Sequence, residues 1–308
     1  MKRCLLLLAG VLVLALGANA EDSKSLSLRD RAVAAWKARN FTNAVTLASE
    51  AISADKKDPR LWNFRAQMRA ILGDYSGAVS DFTEALRMAP DSATLYQERA
   101  MARFKLGQIP ESVTDFDRAN ELDPGSAPQN WQRGLALYFA RRYADGKLQF
   151  ELHKTVNPRD VENAVWHFAC VARAENLEAA KQQIIDVTGD SRVPMAEVQE
   201  LFAGTGDINE VLEAAREAPG DAAEKRSAEF YANLYLGLYY DLHGKTDDAV
   251  QSLKTAVSLA PPGDYMGHVA RLHLQSLTSP PSPAPATPPP ATPPPASPAP
   301  SAPSAAKP

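Results

Sequence analysis

Four arginines recur at a fixed spacing of 34 residues, and regularly placed guanidinium groups could bind an anion such as a phosphate or a carboxylate. Aspartates also recur, because Asp81 and Asp115 each follow an arginine by 16 residues. Because opposite charges recur at a constant separation, we favour ion pairs between helices and not an anion-binding ladder. Such ion pairs would fix how the helices stack. The arginines are Arg31, Arg65, Arg99 and Arg133.

Other residues that could carry chemistry lack the neighbours that the chemistry requires. The stretch YYDLHGKT ends like a phosphate-binding loop, but Tyr239 stands where that loop needs its first glycine. His167 and Cys170 could share a helix face, yet no further ligands lie nearby, so we interpret Cys170 as a packed core residue. The sequence therefore predicts no catalytic residue, no metal site, no cofactor and no enzyme activity. No metal-ligand spacing connects the other histidines, His153, His243, His268 and His273.

The spacing of 34 residues extends over the first half of the chain, where four rows align without a gap. Two columns of the alignment hold small residues, and a third holds aromatic residues in rows two to four. The rows start at Ser25, Pro59, Ala93 and Ala127, and prolines close rows two to four at Pro90, Pro124 and Pro158. The columns are Ala32, Ala66, Ala100 and Gly134, then Ala44, Ala78, Ser112 and Gly146, then Ala48, Phe82, Phe116 and Phe150.

Each row is predicted to form two amphipathic helices joined by a tight turn. Gly73 and Gly107 supply two of these turns, since glycine tolerates a left-handed backbone. Small residues let the paired helices approach closely, the aromatic residue fills the space between pairs, and proline ends the second helix. Because one helix pair cannot bury its own apolar face, the rows must stack. We therefore expect an all-α superhelix of helix-turn-helix units, an α-solenoid.

This pattern resembles the tetratricopeptide repeat (TPR) family. Row two carries the family signature in Trp62, Ala66, Gly73, Tyr75, Ala78, Phe82, Ala85 and Pro90. The resemblance implies four repeats over 25–160, and a last repeat with a capping helix over 230–277. The last repeat starts near Phe230 and has Leu236, Gly237, Gly244, Ala249, Leu253, Ala256 and Pro261 in the expected columns.

The segment 161–229 is predicted to contain degenerate helical repeats. Ala180 and Ile184 occupy the positions that a second helix needs. Further on, the stretch GDINEVLEAAREA predicts a short helix with Asp207 as its N-cap and Glu210 completing a capping box.

The beginning of the chain is typical of a secretory signal peptide. Residues 1–20 start with Lys2 and Arg3, continue with an apolar run, and end in the small-residue cleavage site ANA. An uncleaved anchor is the alternative, but the apolar run is shorter than the roughly 20 residues of a membrane span. Cys4 precedes the run, so there is no lipobox, and we expect a secreted or periplasmic protein.

The end of the chain has a different composition. Residues 278–308 contain only Pro, Ala, Ser, Thr and one Lys, so they have nothing to bury and are predicted to be disordered, with a bias to polyproline II. The simplest interpretation is a spacer. The alternative is a docking site for a protein that binds proline-rich segments.

The charge of the chain restricts its partners. After cleavage, the net charge is −6 and one cysteine, Cys170, remains. We expect no nucleic-acid partner, no direct membrane span and no disulfide framework.

The order of these parts also resembles, more narrowly, the bacterial envelope lipoprotein family called NlpI. The resemblance covers about 25–277 and is strongest over its last part, which ends in GDYMGHVARLHLQSL. It implies a helical homodimer that acts as an adaptor and presents cell-wall hydrolases to a periplasmic protease. It does not extend to a lipid anchor or to the tail.

In the TPR family the first helices line a concave groove that holds peptides or helices of partner proteins. Aromatic residues flanked by amides suit a peptide with apolar side chains and a backbone that needs hydrogen bonds. The alternative is that the aromatic residues belong to the repeat consensus and are covered by neighbouring helices. The candidate groove residues are Trp36, Asn63, Gln67, Gln97, Met101, Phe104, Trp131, Leu135 and Tyr138.

We therefore expect an exported scaffold or adaptor that binds proteins or peptides of the cell envelope and performs no catalysis. The alternative is a structural envelope or wall-associated protein that uses residues 278–308 as a spacer.

Overall fold

The computed structural model describes residues 20–279, with side chains from residue 27 onward. Nearly all of the predicted signal peptide and of the proline-rich tail lies outside the described residues. Within residues 20–279 the regular structure is helical, and no helix is long and apolar enough to cross a membrane. The α-helices are α1 (Ala20–Lys37), α2 (Phe41–Ala54), α3 (Pro59–Ile71), α4 (Tyr75–Met88), α5 (Ala93–Lys105), α6 (Ile109–Leu122), α7 (Trp131–Phe139), α8 (Tyr143–Lys154), α9 (Val161–Ala174), α10 (Leu177–Gln182), α11 (Met195–Ala203), α12 (Ile208–Arg216), α13 (Ala222–Leu242), α14 (Thr246–Leu259) and α15 (Tyr265–Thr278), and a 3-10 helix covers Pro124–Gln129.

The helices pack in consecutive antiparallel pairs, which confirms the predicted all-α superhelix. In the first four rows α1 pairs with α2, α3 with α4, α5 with α6 and α7 with α8, and later in the chain α13 pairs with α14. We call the surface formed by the first helices α1, α3, α5 and α7 the inner face. This face is where a stacked repeat presents its groove.

The turn inside each of the first four pairs contains a residue with a left-handed backbone. Gly73 and Gly107 have φ values of 83° and 75°, as the sequence predicts. Arg39 and Arg141, at the same position of rows one and four, adopt φ values of 58° and 60°. The repeat therefore imposes the same turn even where a side chain makes that backbone unfavourable.

Small residues of the first helix contact large residues of the second helix within each pair. A Cβ atom at Gly134 would lie 2.6 Å from the ring of Phe150, and one at Gly237 would lie 2.6 Å from Leu253. Both pairs are 16 residues apart, as are the buried Ala66 and Phe82 and the buried Ala100 and Phe116. This recurring close approach confirms the predicted role of the small columns.

We expect Ala100→Leu to destabilise the stack by about 1–3 kcal/mol, because the added carbons have no space at this helix crossing. Ala100 is fully buried, and its carbonyl oxygen accepts a hydrogen bond from Ser112 Oγ at 2.8 Å. Urea unfolding followed by circular dichroism measures the loss. Ala34→Leu, on the exposed side of α1, is the control and should change stability little. Equal stability of both variants and the wild type would show that Ala100 is not tightly packed.

The recurring arginines are paired inside the stack, so the prediction of ion pairs is confirmed for rows two and three. Arg65 donates two hydrogen bonds to Asp81, at 2.8 and 2.7 Å. Arg99 donates two to Asp115 at the same distances. Row one has no aspartate 16 residues after Arg31, and that arginine is exposed.

The arginine column also connects each row to the row before it. The arginines of rows two and three donate to Ser49 and Thr83 of the preceding row, at 3.0 and 3.1 Å. In row four the charge partner is itself in the preceding row, because Arg133 donates to Asp117 at 2.8 Å and to Gln149 at 2.9 Å. The column therefore joins neighbouring rows in one register.

The second half of the chain folds back onto α9, of which ten residues are buried. Tyr235 of α13 donates to Glu162 of α9 at 2.6 Å, and Arg173 of α9 pairs with Asp241 of α13 at 2.6 Å. His273 of α15 also lies 2.8 Å from Asp241. These contacts hold α9, α13 and α15 together.

The segment predicted to hold degenerate repeats departs from the pattern in one place. Ala180 is buried in α10, but α10 ends at Gln182, so Ile184 does not lie in a second helix. β-branched residues and Gly189 follow, and both disfavour a helix. The capping box is confirmed, because Asp207 accepts from the Glu210 amide at 3.2 Å and the Glu210 carboxylate accepts from the Asp207 amide at 2.8 Å.

Candidate functional site

The nine candidate groove residues divide into two groups. Six of them are partly buried and keep access to solvent, namely Trp36, Asn63, Gln67, Gln97, Met101 and Trp131. The other three are buried, namely Phe104, Leu135 and Tyr138.

The C-terminal helix α15 lies against the inner face of rows three and four. The ring of Tyr265 stacks on Phe104 with centroids 5.2 Å apart, and its edge meets Trp131 at 5.3 Å. One turn further along α15, His268 Nε2 lies 2.9 Å from the hydroxyl oxygen of Tyr75. The chain therefore occupies part of its own groove with its last described helix.

Helix α9 covers the adjoining part of the same face. Its Trp166 packs edge-on against Tyr138 with centroids 5.2 Å apart, and Leu135 is fully buried in the same apolar cluster. Phe104, Leu135 and Tyr138 thus do not line an accessible groove, which corrects their assignment. The reason is that the stack does not end as an open solenoid, because α9 and α15 close over it.

The candidate residues that stay accessible on α3 and α5 are mostly polar. We call Asn63, Gln67, Gln97 and Met101 the open part of the inner face, and all four are partly buried. Asn63 Oδ1 is buried and has no hydrogen-bond partner among the described residues. The partly buried amide side chains of this surface suit the backbone of an extended peptide.

His268 gives the contact between α15 and the start of α4 a dependence on pH. Burial, with smaller contributions from Arg271 and Lys105, lowers the pKa of His268 to about 4. The docked helix therefore holds His268 neutral, whereas a released helix would let it take up a proton near its ordinary pKa of about 6.5. Docking is thus favoured above pH 6.5 and becomes weaker as the pH falls towards 4.

We expect the amides of α15 to exchange faster with solvent at pH 4.5 than at pH 7, after correction for intrinsic rates. His268→Gln should show a smaller change with pH, because glutamine can still bond to Tyr75 but does not titrate. The measurement is amide hydrogen exchange read by mass spectrometry. The same pH dependence in the wild type and in His268→Gln would contradict this account.

A cavity of about 370 Å³ opens where α7, α9, α13 and the start of α15 meet. Its walls are mainly aromatic, and we call it the aromatic cavity. The rings that line it are those of Trp131, Phe150, Trp166, Tyr231 and Tyr265.

Polar groups of the aromatic cavity include several without a partner in the described part of the chain. Asn163 and Trp166 are 4% and 2% exposed, and Asn163 Oδ1 and Trp166 Nε1 form no hydrogen bond. The hydroxyl of Tyr265 is also buried without a partner. Buried polar atoms are rarely left unpaired, and these three belong to residues that line the same cavity.

Carboxylates line the same cavity. Asp160 pairs with Arg192 at 2.6 Å, and Glu162 pairs with the same arginine. Burial raises the pKa of Glu162 to about 7, although Arg192 opposes this shift. Asp264 caps α15 by accepting from the Gly267 amide at 2.8 Å, and it forms no salt bridge within the described residues.

Sequence reasoning identified only Trp131 among the cavity residues. The others lie in α5, α8, α9, α13, α15 and the loops before α9 and α15, and no single row of the repeat brings them together. The only local signal was that Asp160 and Asp264 precede helices as N-caps, which indicates structure and not binding.

The histidine and cysteine that share a face of α9 are packed as predicted. Cys170 is fully buried, and burial raises the pKa of its thiol above the usual range. His167 Nε2 lies 3.3 Å from Glu151. Within residues 20–279, no three histidine, cysteine, aspartate or glutamate side chains are placed as metal ligands.

Comparison with known proteins supports the repeat. The model of the tetratricopeptide repeat family matches residues 29–93 and 72–127. No curated protein sequence gives a significant match to the chain.

Solved structures show the same architecture. A tetratricopeptide repeat protein from Parabacteroides merdae is similar with a TM-score of 0.56 and 14% identity, over 83% of this chain and 99% of that one. A crystal structure of MamA protein is similar with a TM-score of 0.50 and 12% identity, over 65% of this chain and 98% of that one. At these identities the likeness shows the fold. The chain therefore has an all-α superhelical repeat fold, and its residues 29–127 match the tetratricopeptide repeat family.

Proposed function

We propose that this protein is an exported scaffold that binds proteins or peptides of the cell envelope on the open part of its inner face. The observation that carries the proposal is the row of partly buried amides on the consecutive first helices α3 and α5, namely Asn63, Gln67 and Gln97. Asn63 and Gln97 stand 34 residues apart, so they hold the same position in rows two and three. An extended peptide crossing both rows could bond to each amide in turn.

Crosslinking in the native envelope tests this proposal. A photo-reactive residue at Gln67 should form adducts with a protein that can then be identified and purified. The control position is Ser80, which is exposed on the second helix α4 and should not capture the same protein.

The purified partner then allows an affinity measurement. Asn63→Ala and Gln97→Ala should each weaken binding about fivefold, the usual cost of one hydrogen bond, while Ser80→Ala leaves it unchanged. Unchanged affinity in both amide variants would overturn the assignment of the open part as the binding surface.

The proposal of export rests on the first 20 residues, with their basic start, apolar run and ANA site. Cell fractionation with mass spectrometry should find a protein that begins at Glu21 outside the cytoplasm. An intact Met1 in the cytoplasmic fraction would contradict export.

We propose further that the scaffold acts as a homodimeric adaptor that presents cell-wall hydrolases to a periplasmic protease. Support comes from the order of its parts, four repeats followed by degenerate helices, a last repeat and a terminal helix. Light scattering at tens of micromolar should give twice the mass of one chain. A strict monomer, together with unchanged hydrolase lifetimes in cells that lack the protein, would overturn this finer proposal and leave the scaffold proposal standing.

A structural role in the envelope is the second candidate, and the composition of residues 278–308 favours it. Helix α15 ends at Thr278, so removing residues 280–308 leaves every described helix intact. Partners captured equally by the full and the truncated chain support the scaffold. Loss of envelope association on truncation, with no protein partner lost, supports the structural role.

A further inference from the structure

We propose that the aromatic cavity binds an organic cation, namely an ammonium or guanidinium group carried on an apolar stem. Five aromatic rings form its walls, and three carboxylates lie on its lining. Faces of tryptophan and tyrosine attract cations through their quadrupoles, and this attraction grows when water is excluded. The site lies beyond the open part of the inner face, so the inference does not depend on the scaffold proposal.

The charges around the cavity decide the sign of the ligand. Asp160, Glu162 and Asp264 line it, against Lys105 on the lining and Arg192 behind two of the acids. At pH 8, above the raised pKa of Glu162, these three carboxylates outnumber the two cations Lys105 and Arg192. An anionic ligand would meet this excess of negative charge in a poorly hydrated site, which is costly.

Asp264 marks the end of the cavity where the cationic group would lie. Asp264 and Tyr231 line the same cavity, and Asp264 forms no ion pair within the described residues. Tyr231 and Trp131 both line the cavity, and the ring centroids of Tyr265 and Trp131 are 5.3 Å apart. A cation placed among these rings would also neutralise Asp264.

The chain already places one cation at the edge of these rings. Lys105 Nζ lies 5.7 Å from the ring centroid of Tyr265 and 5.1 Å from that of Tyr75. Its positive charge opposes a second cation in the cavity.

The size of the cavity suits one side chain or a small molecule and not a folded segment. Its volume of about 370 Å³ lies at the lower end of the range for small-molecule sites, roughly 300–1,000 Å³. The cation could therefore be a lysine or arginine side chain of a peptide, or a free amine.

Calorimetry with the mature full chain at pH 8 and low salt tests the inference. The probes are the blocked amino acids Nα-acetyl-lysine amide and Nα-acetyl-arginine amide, with tetramethylammonium as the free cation. Nα-acetyl-norleucine amide is the neutral control of similar shape. At least one cation should bind roughly tenfold more tightly than the norleucine probe. A blocked amino acid that binds more tightly than tetramethylammonium indicates a peptide source, and the reverse indicates a free amine.

Two variants should move the affinity in opposite directions. Asp264→Asn should weaken cation binding roughly tenfold, because asparagine keeps the cap oxygen of α15 but removes the charge. Lys105→Gln should strengthen it, because it removes a repelling charge. The control is Asp91→Asn, whose side chain is 85% exposed outside the cavity. Circular dichroism and thermal melting confirm that each variant is folded.

Three results would overturn the inference: equal binding of the norleucine and lysine probes, no detectable binding of any cation, or a loss of affinity in Asp91→Asn as large as in Asp264→Asn. Because purified protein and small probes are used, none of these results bears on whether the open part of the inner face binds a protein.

Discussion

Replacing Asp81 with alanine is expected to lower the free energy of unfolding by about 3–5 kcal/mol. The Asp81 side chain is 1% exposed and accepts hydrogen bonds from Arg65 and, at 2.9 Å, from Arg69. Without the carboxylate, Arg65 stays packed in the stack with no counter-charge, and Arg69 keeps only the more exposed Asp74 at 3.6 Å. Breaking a buried pair in this way costs more than the intact pair contributes. Urea unfolding followed by far-ultraviolet circular dichroism measures the loss.

The repeat supplies both a replicate and a control for this prediction. Asp115→Ala should cost a similar amount, because Arg99 and Arg103 hold Asp115 in the same way 34 residues further on. Asp145→Ala should cost at most about 1 kcal/mol, because its pair with Arg142 is exposed to solvent. Equal losses at Asp81 and Asp145 would show that the arginine column does not hold the stack.

Replacing Phe104 with alanine is expected to destabilise the protein by about 3–5 kcal/mol and to release α15. Phe104 is fully buried, and its ring stacks on Tyr265 and meets the edge of Phe139. Loss of the ring removes the surface on which the start of α15 rests. Amide exchange in the segment Tyr265–Thr278 should therefore become faster, and the covered part of the inner face should open.

Phe82→Ala is the matched control for Phe104→Ala. Phe82 is 1% exposed and lies in a separate apolar cluster of rows two and three, so its loss should cost a similar free energy of unfolding. It should leave the exchange of α15 unchanged under native conditions. Faster exchange of α15 in both variants, or in neither, would contradict the contact between α15 and the inner face.

The sequence was informative wherever the fold depends on contacts within one repeat. The small and aromatic columns predicted that Ala66, Phe82, Ala100 and Phe116 are core residues, and all four are buried. The prediction holds because residues 16 apart meet across a single helix pair. The pairing of Arg65 with Asp81 follows from the same spacing.

Sequence reasoning failed where distant parts of the chain meet. The stacking of Phe104 on Tyr265 joins residues from different repeats, and no periodicity relates them. The candidate groove residues were assigned on the assumption that each first helix faces solvent. Helices α15 and α9 instead cover part of that surface. The repeat does not predict the aromatic cavity for the same reason, since Trp166 and Tyr231 come together only after the chain folds back.

If partners bind on the open part of the inner face, amide hydrogen exchange of the complex should locate them there. The protein is compared with and without the partner identified by crosslinking at Gln67. Binding should slow exchange in α3 and α5, the first helices of rows two and three, and leave α4 and α6 unchanged. Protection confined to α4, α6 or the exposed side of α8, with α3 and α5 unaffected, would contradict the claim.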